Sequence, residues 1–78
     1  MYKLHHRGEL YKGLFYNNLE DAKASVENRV SEYQHKHSDT VHSFYWKRTK
    51  NKLRCYVNST TLYGVSYTWC FDTIIALK

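Results

Sequence analysis

The clearest pattern along the chain is a set of apolar residues spaced by three and four positions. Leu19, Ala22, Val26, Val30 and Tyr33 share one stripe of a helix, while Glu20, Asp21, Lys23, Glu27, Asn28, Arg29 and Glu32 between them face water. The ends agree with the stripe. Asn18 is placed to cap the first turn, with Asp21 at the third helical position. Glu20 and Asp21 lie at the positive end of the helix dipole, and His35, Lys36 and His37 at the negative end. The spacing predicts a helix from about Leu19 to about His37.

Beyond the helix the period drops to two. Val41 to Arg48, Leu53 to Asn58 and Val65 to Phe71 are rich in β-branched and aromatic residues and read as strands. Before the helix, Tyr2 to Arg7 reads as a short strand, Gly8-Glu9 as a turn, and Leu10 to Tyr16 as a second strand. Alternation is imperfect there, because Leu14, Phe15 and Tyr16 are all apolar. The apolar tail Ile74-Ile75-Ala76-Leu77 either extends the last strand or docks as a final helical turn. The order β-β-α-β-β-β predicts one α+β domain over residues 1–78, a small antiparallel sheet with one helix packed on one face. The opposite face must meet water or a partner.

Thr49-Lys50-Asn51-Lys52 separates the first two strands after the helix, and its register can be worked out. A two-residue turn at Lys50-Asn51 pairs Thr49 with Lys52. Phe44 then faces Val57 and Trp46 faces Cys55 on one apolar side. On the other side Tyr45 opposes Tyr56, Lys47 opposes Arg54, and Ser43 opposes Asn58. A slip of one residue would mix the faces. In the last strand Val65, Tyr67, Trp69 and Phe71 share the apolar side, and Ser66, Thr68 and Cys70 the other. Pairing Val57 with Val65 would put Ser66 beside Tyr56 and Thr68 beside Arg54. The outer face is thus expected to carry Tyr45, Lys47, Arg54, Tyr56, Ser66 and Thr68.

That face combines two tyrosines with two directly opposed cations, and like charges opposed across strands repel. A bound anion would relieve the repulsion, and exposed rings can stack on bases while phosphates meet the cations. These six residues are therefore the candidate nucleic-acid contacts, for single-stranded RNA or DNA. A plainer reading stands beside this one. Cross-strand tyrosine pairs stabilise solvated sheets without any ligand, and lysine and arginine stems can bend apart over the rings.

Composition permits the first reading without selecting it. The formal charge is +5, and eight of thirteen aromatic residues are tyrosine. Such a charge suits nucleic acid, an acidic protein or an anionic surface alike. The chain lacks the RNP1 pattern of RNA-recognition domains. In its short, proline-free, Asn-, Lys- and Tyr-rich composition it resembles small bacteriophage accessory proteins. That sets a second expectation, a protein-interaction module such as a phage-encoded inhibitor of a host protein, or a homodimer joined through a sheet edge or the outer face.

Other chemistry finds little support. Five histidines (His5, His6, His35, His37, His42) and two cysteines (Cys55, Cys70) show no metal-ligand spacing. Small ribonucleases use His, Lys, Arg and Tyr, and His42 beside Ser43 is the nearest approach to such a set. No second group is fixed with it, so no catalytic residue and no cofactor are assigned. Cys55 is turned toward the core, which disfavours it as a nucleophile. No stretch approaches the roughly 20 apolar residues that span a bilayer. Met1 to Arg7 is polar and basic with no apolar run after it, so the expected compartment is the cytoplasm, that of a host included.

Overall fold

The computed structural model describes residues 1–6 and 9–77, with no side-chain description for residues 6–13. The elements are β1 (Tyr2–His6), β2 (Glu9–Tyr16), α1 (Leu19–Lys36), β3 (Val41–Thr49), β4 (Lys52–Thr60) and β5 (Ser66–Ala76). The expected turn between β1 and β2 involves Gly8, which lies outside the described residues, as does the expected strand end at Arg7. The five strands form one antiparallel sheet in the order β2-β1-β5-β4-β3. The fold is thus a small α+β unit with its helix on one face of the sheet.

The helix begins as the sequence indicates. The Asn18 side-chain oxygen accepts a hydrogen bond from the Asp21 backbone N–H at 2.8 Å, meeting one of the donors a helix start leaves open. At the other end the His37 N–H donates to the Tyr33 carbonyl at 3.0 Å. Ala22, Val26 and Val30 are the buried stripe. They meet Leu4 of β1, Leu53, Cys55 and Val57 of β4, and Phe71 and Ile74 of β5. Each large side chain so covered contributes about 1.5–3 kcal/mol. Tyr33 closes the far end of this layer, its ring edge-on to Trp69 at 5.5 Å and to Phe71 at 6.0 Å.

The tail extends the last strand. Ile74 pairs with Leu4 on one side and Leu53 on the other, so β5 runs to Ala76 through the middle of the sheet. A register shift interrupts β5 where it passes Cys55 and Tyr56. Tyr56 pairs with Cys70 and Cys55 with Asp72, leaving Phe71 as the extra residue. Phe71 and Asp72 are consequently both buried on the helix side. The Asp72 carboxylate is met there by Arg29, whose Nη1 lies 3.3 Å from Oδ2. Arg29 also stands over the Phe71 ring at 5.5 Å.

One expectation is corrected here. Val57 pairs with Trp69 instead of Val65, a slide of four positions that keeps each residue on its expected face. Phe44 lies on the helix side yet remains 42% exposed, because β3 is an edge strand with no neighbour beyond it. Among the described residues, no helix is long and apolar enough to cross a membrane.

Candidate functional site

The sheet face opposite α1 is uncovered, and strand pairing orders its side chains into rows. Tyr45, Tyr56 and Cys70 form one row. Lys47, Arg54, Thr73 and His5 form the next, across β3, β4, β5 and β1. Thr49, Lys52, Ile75, Lys3 and Phe15 form the third, reaching β2. On the far side of the tyrosines lie Ser43, Asn58 and Thr68, then Val41, Thr60 and Ser66.

The hairpin residues fall where the sequence places them. Tyr45 pairs with Tyr56 and Lys47 with Arg54. The two tyrosine rings stack, with centroids 5.4 Å apart and planes 19° from parallel. Tyr45 stands on the edge strand and is 50% exposed. Tyr56 has the small Cys70 as its other neighbour, so neither ring is hemmed in by a bulky side chain on its outer side. Lys47 and Arg54 oppose each other as like charges, a destabilising arrangement in the absence of an anion. Neither they nor Lys52 meet a carboxylate among the described residues.

Ser66 and Thr68 share the outer face but are not neighbours of Tyr56 and Arg54. The four-position slide moves them to Thr60 and Asn58. There Ser66 Oγ and Thr60 Oγ1 are 3.0 Å apart, and the Thr68 hydroxyl donates to Asn58 Oδ1 at 3.4 Å. In their expected places are Cys70 beside Tyr56 and Thr73 beside Arg54.

Three further cationic or titratable residues join the site. Lys52 follows from the hairpin register itself, opposite Thr49. His5 and Lys3 arrive through the pairing of β1 with β5, which joins opposite ends of the chain. Lys3 is held with its ammonium 5.8 Å from the centre of the Phe15 ring. His5, Lys52, Arg54, Thr73 and Ile75 together line a shallow open depression of about 240 Å³.

The acidic residues whose side chains are described lie elsewhere. Glu20, Asp21, Glu27 and Glu32 belong to α1, Asp39 follows it, and Asp72 is buried beneath it. Among the described residues the outer face therefore carries no carboxylate.

His42 is on the other side of the sheet. Its Nδ1 is 2.6 Å from Ser59 Oγ, which also accepts from Trp69 Nε1 at 3.3 Å. Ser59 is fully buried, so this His–Ser contact gives no substrate access to a hydroxyl nucleophile. Cys55 is equally withdrawn. Burial first, then the Asp72 carboxylate, then Cys70 and Glu27, push its thiol up to about 12. No group of three or more His, Cys, Asp or Glu among the described residues is arranged to hold a metal ion.

Comparison of the chain with family models, with curated proteins and with solved structures finds no match.

Proposed function

We propose that the uncovered sheet face binds single-stranded nucleic acid, RNA or DNA, with bases stacking at Tyr45 and Tyr56 and phosphates meeting Lys47, Arg54 and their neighbours. The observation that carries this reading is the segregation of charge. Lys3, Lys47, Lys52, Arg54 and His5 share one open surface with a stacked tyrosine pair, while every described carboxylate lies on or under the helix or just after it. Stacking is worth about 1–3 kcal/mol per base, and phosphate contacts make binding fall with salt.

The test is fluorescence anisotropy of labelled single-stranded RNA, single-stranded DNA and duplex DNA at low and near-physiological salt. The Tyr45→Ala/Tyr56→Ala variant is run beside the wild type after circular dichroism shows that it is folded. Single-strand binding that survives physiological salt and drops at least tenfold in the variant supports the reading. Equal binding by both proteins, confined to low salt, refutes it.

A second reading, a protein-interaction module directed at a host protein, draws on a different surface. The β4–β5 connection and its surroundings expose Leu62, Tyr63 (95%), Val65 and Val41 at one end of the sheet. Apolar side chains grouped in the open mark protein contacts more often than nucleic-acid contacts. Retention of partner binding by the double tyrosine variant, and its loss on Leu62→Asp/Tyr63→Asp, would select this reading.

A further inference from the structure

We propose that the depression between His5, Lys52 and Arg54 is a phosphate seat, holding a backbone phosphodiester of the strand whose bases stack at Tyr45 and Tyr56. The inference rests on the nucleic-acid reading of this face. It adds where the backbone runs.

The floor of the depression is β5, where Thr73 and Ile75 present modest side chains between taller cations. Thr73 sits directly between His5 and Arg54, paired with both. Lys52 stands one row further along, with Lys3 across Ile75 from it. A phosphate in this place meets an arginine fork, a mobile ammonium, a hydroxyl and an imidazole from three strands. Charge-assisted hydrogen bonds of that kind are about twice as strong as neutral ones. The depression is open, so a strand can pass through it instead of ending there. Arg54 and Tyr56 are two residues apart on β4, about 7 Å. A phosphate at Arg54 and a base beside Tyr56 then fall within neighbouring nucleotides of one strand.

His5 pairs with Thr73 on β5 and with Leu10 on β2, and Arg54 and Lys52 on β4 line the same depression. Among the described side chains here none is acidic, so a phosphate would meet donors and cations without a competing carboxylate.

The full chain is titrated with inorganic pyrophosphate, which has no bases, and with a short oligothymidylate, following the His5 imidazole by NMR. Pyrophosphate is expected to shift the His5, Lys52 and Arg54 signals and leave those of Leu62 and Tyr63 in place. Lys52→Gln/Arg54→Gln should weaken oligothymidylate binding about tenfold or more. An oligothymidylate that binds through the tyrosines without shifting His5, or with undiminished affinity in Lys52→Gln/Arg54→Gln, overturns the seat alone. Pyrophosphate held at the seat with no oligothymidylate binding, or no binding of either, overturns the seat's strand assignment and the interface reading together.

Discussion

Removing Arg29 should cost this fold more than neutralising the carboxylate it faces. Asp72 is fully buried, whereas the Arg29 side chain retains 28% of its exposure. Arg29→Met keeps an apolar stem against the Phe71 ring but takes away the cation 3.3 Å from Asp72 Oδ2. The carboxylate has no comparable route to water, and breaking a buried pair from that side costs about 3–5 kcal/mol. The partial exposure of Arg29 argues for the lower end, about 3 kcal/mol. Asp72→Asn preserves shape and leaves the charge on the partner that water can reach, so about 1–2 kcal/mol is expected. Arg29→Met/Asp72→Leu removes both charges and should recover much of the loss, giving a coupling of about 2 kcal/mol. Urea unfolding followed by circular dichroism resolves these differences. With a slope of about 1 kcal/mol per M, the Arg29→Met midpoint should fall by about 3 M. A domain of this size holds about 4–12 kcal/mol, so the variant remains measurable. A loss below about 1 kcal/mol for Arg29→Met, or a larger loss for Asp72→Asn, would refute the reasoning.

Two further expectations concern single sites. The buried Cys55 thiol, pushed up to about 12, should resist alkylating reagents, and the half-buried Cys70 should react first, giving one fast thiol in the folded chain and two in urea. Because that value is raised on folding, its stabilising effect is complete below the ordinary thiol value of 9.0 and is lost as pH climbs toward 12. Cys55→Ala should therefore show a shallower alkaline fall in urea midpoint than the wild type, and an equal fall would contradict the assignment. Lys50 occupies the left-handed region at φ 51° in the β3–β4 turn. Lys50→Gly relieves that strain and should stabilise by roughly 0.5–1 kcal/mol, raising the thermal midpoint by a few degrees, whereas a lowered midpoint would show the strain to be absent.

What was legible in the chain divides by the distance over which pairing acts. The helix carries its own stripe, cap and charge asymmetry, all between Asn18 and Lys36, and it forms at Leu19–Lys36. The β3–β4 hairpin is equally local, and its nine pairs run from Val41–Thr60 to Thr49–Lys52 in the register that the apolar pattern selects. Alternation fixes which face a residue takes but not how far a strand slides. A shift of four positions leaves every face unchanged, which is why Ser66 and Thr68 are on the expected side and in the wrong rows. The pairing of β1 with β5 joins the two ends of the chain, and no local signal announces it. His5 and Lys3 therefore could not be grouped with Arg54 from sequence alone, although Lys52 could.

The bulge at Phe71 links stability to the charge of the open face. If the pairing of Tyr56 with Cys70 continued without interruption, Asp72 would stand opposite Arg54 on the outer surface. Its carboxylate would then neutralise the middle of the basic row. The extra residue instead turns Asp72 inward under Arg29 and brings Thr73 into the place beside Arg54. A bulge of this kind re-aims a side chain at the expense of one paired position. Here it buries a charge, which is costly, and keeps off the uncovered face a carboxylate that uninterrupted alternation would have put there. Uninterrupted pairing would set Asp72 against the repulsion between Lys47 and Arg54 and spare the core an ion pair, but it would also turn outward Ile74, a core residue only 1% exposed. The bulge thus leaves the described outer face with cations and no carboxylate, the arrangement on which the nucleic-acid proposal rests.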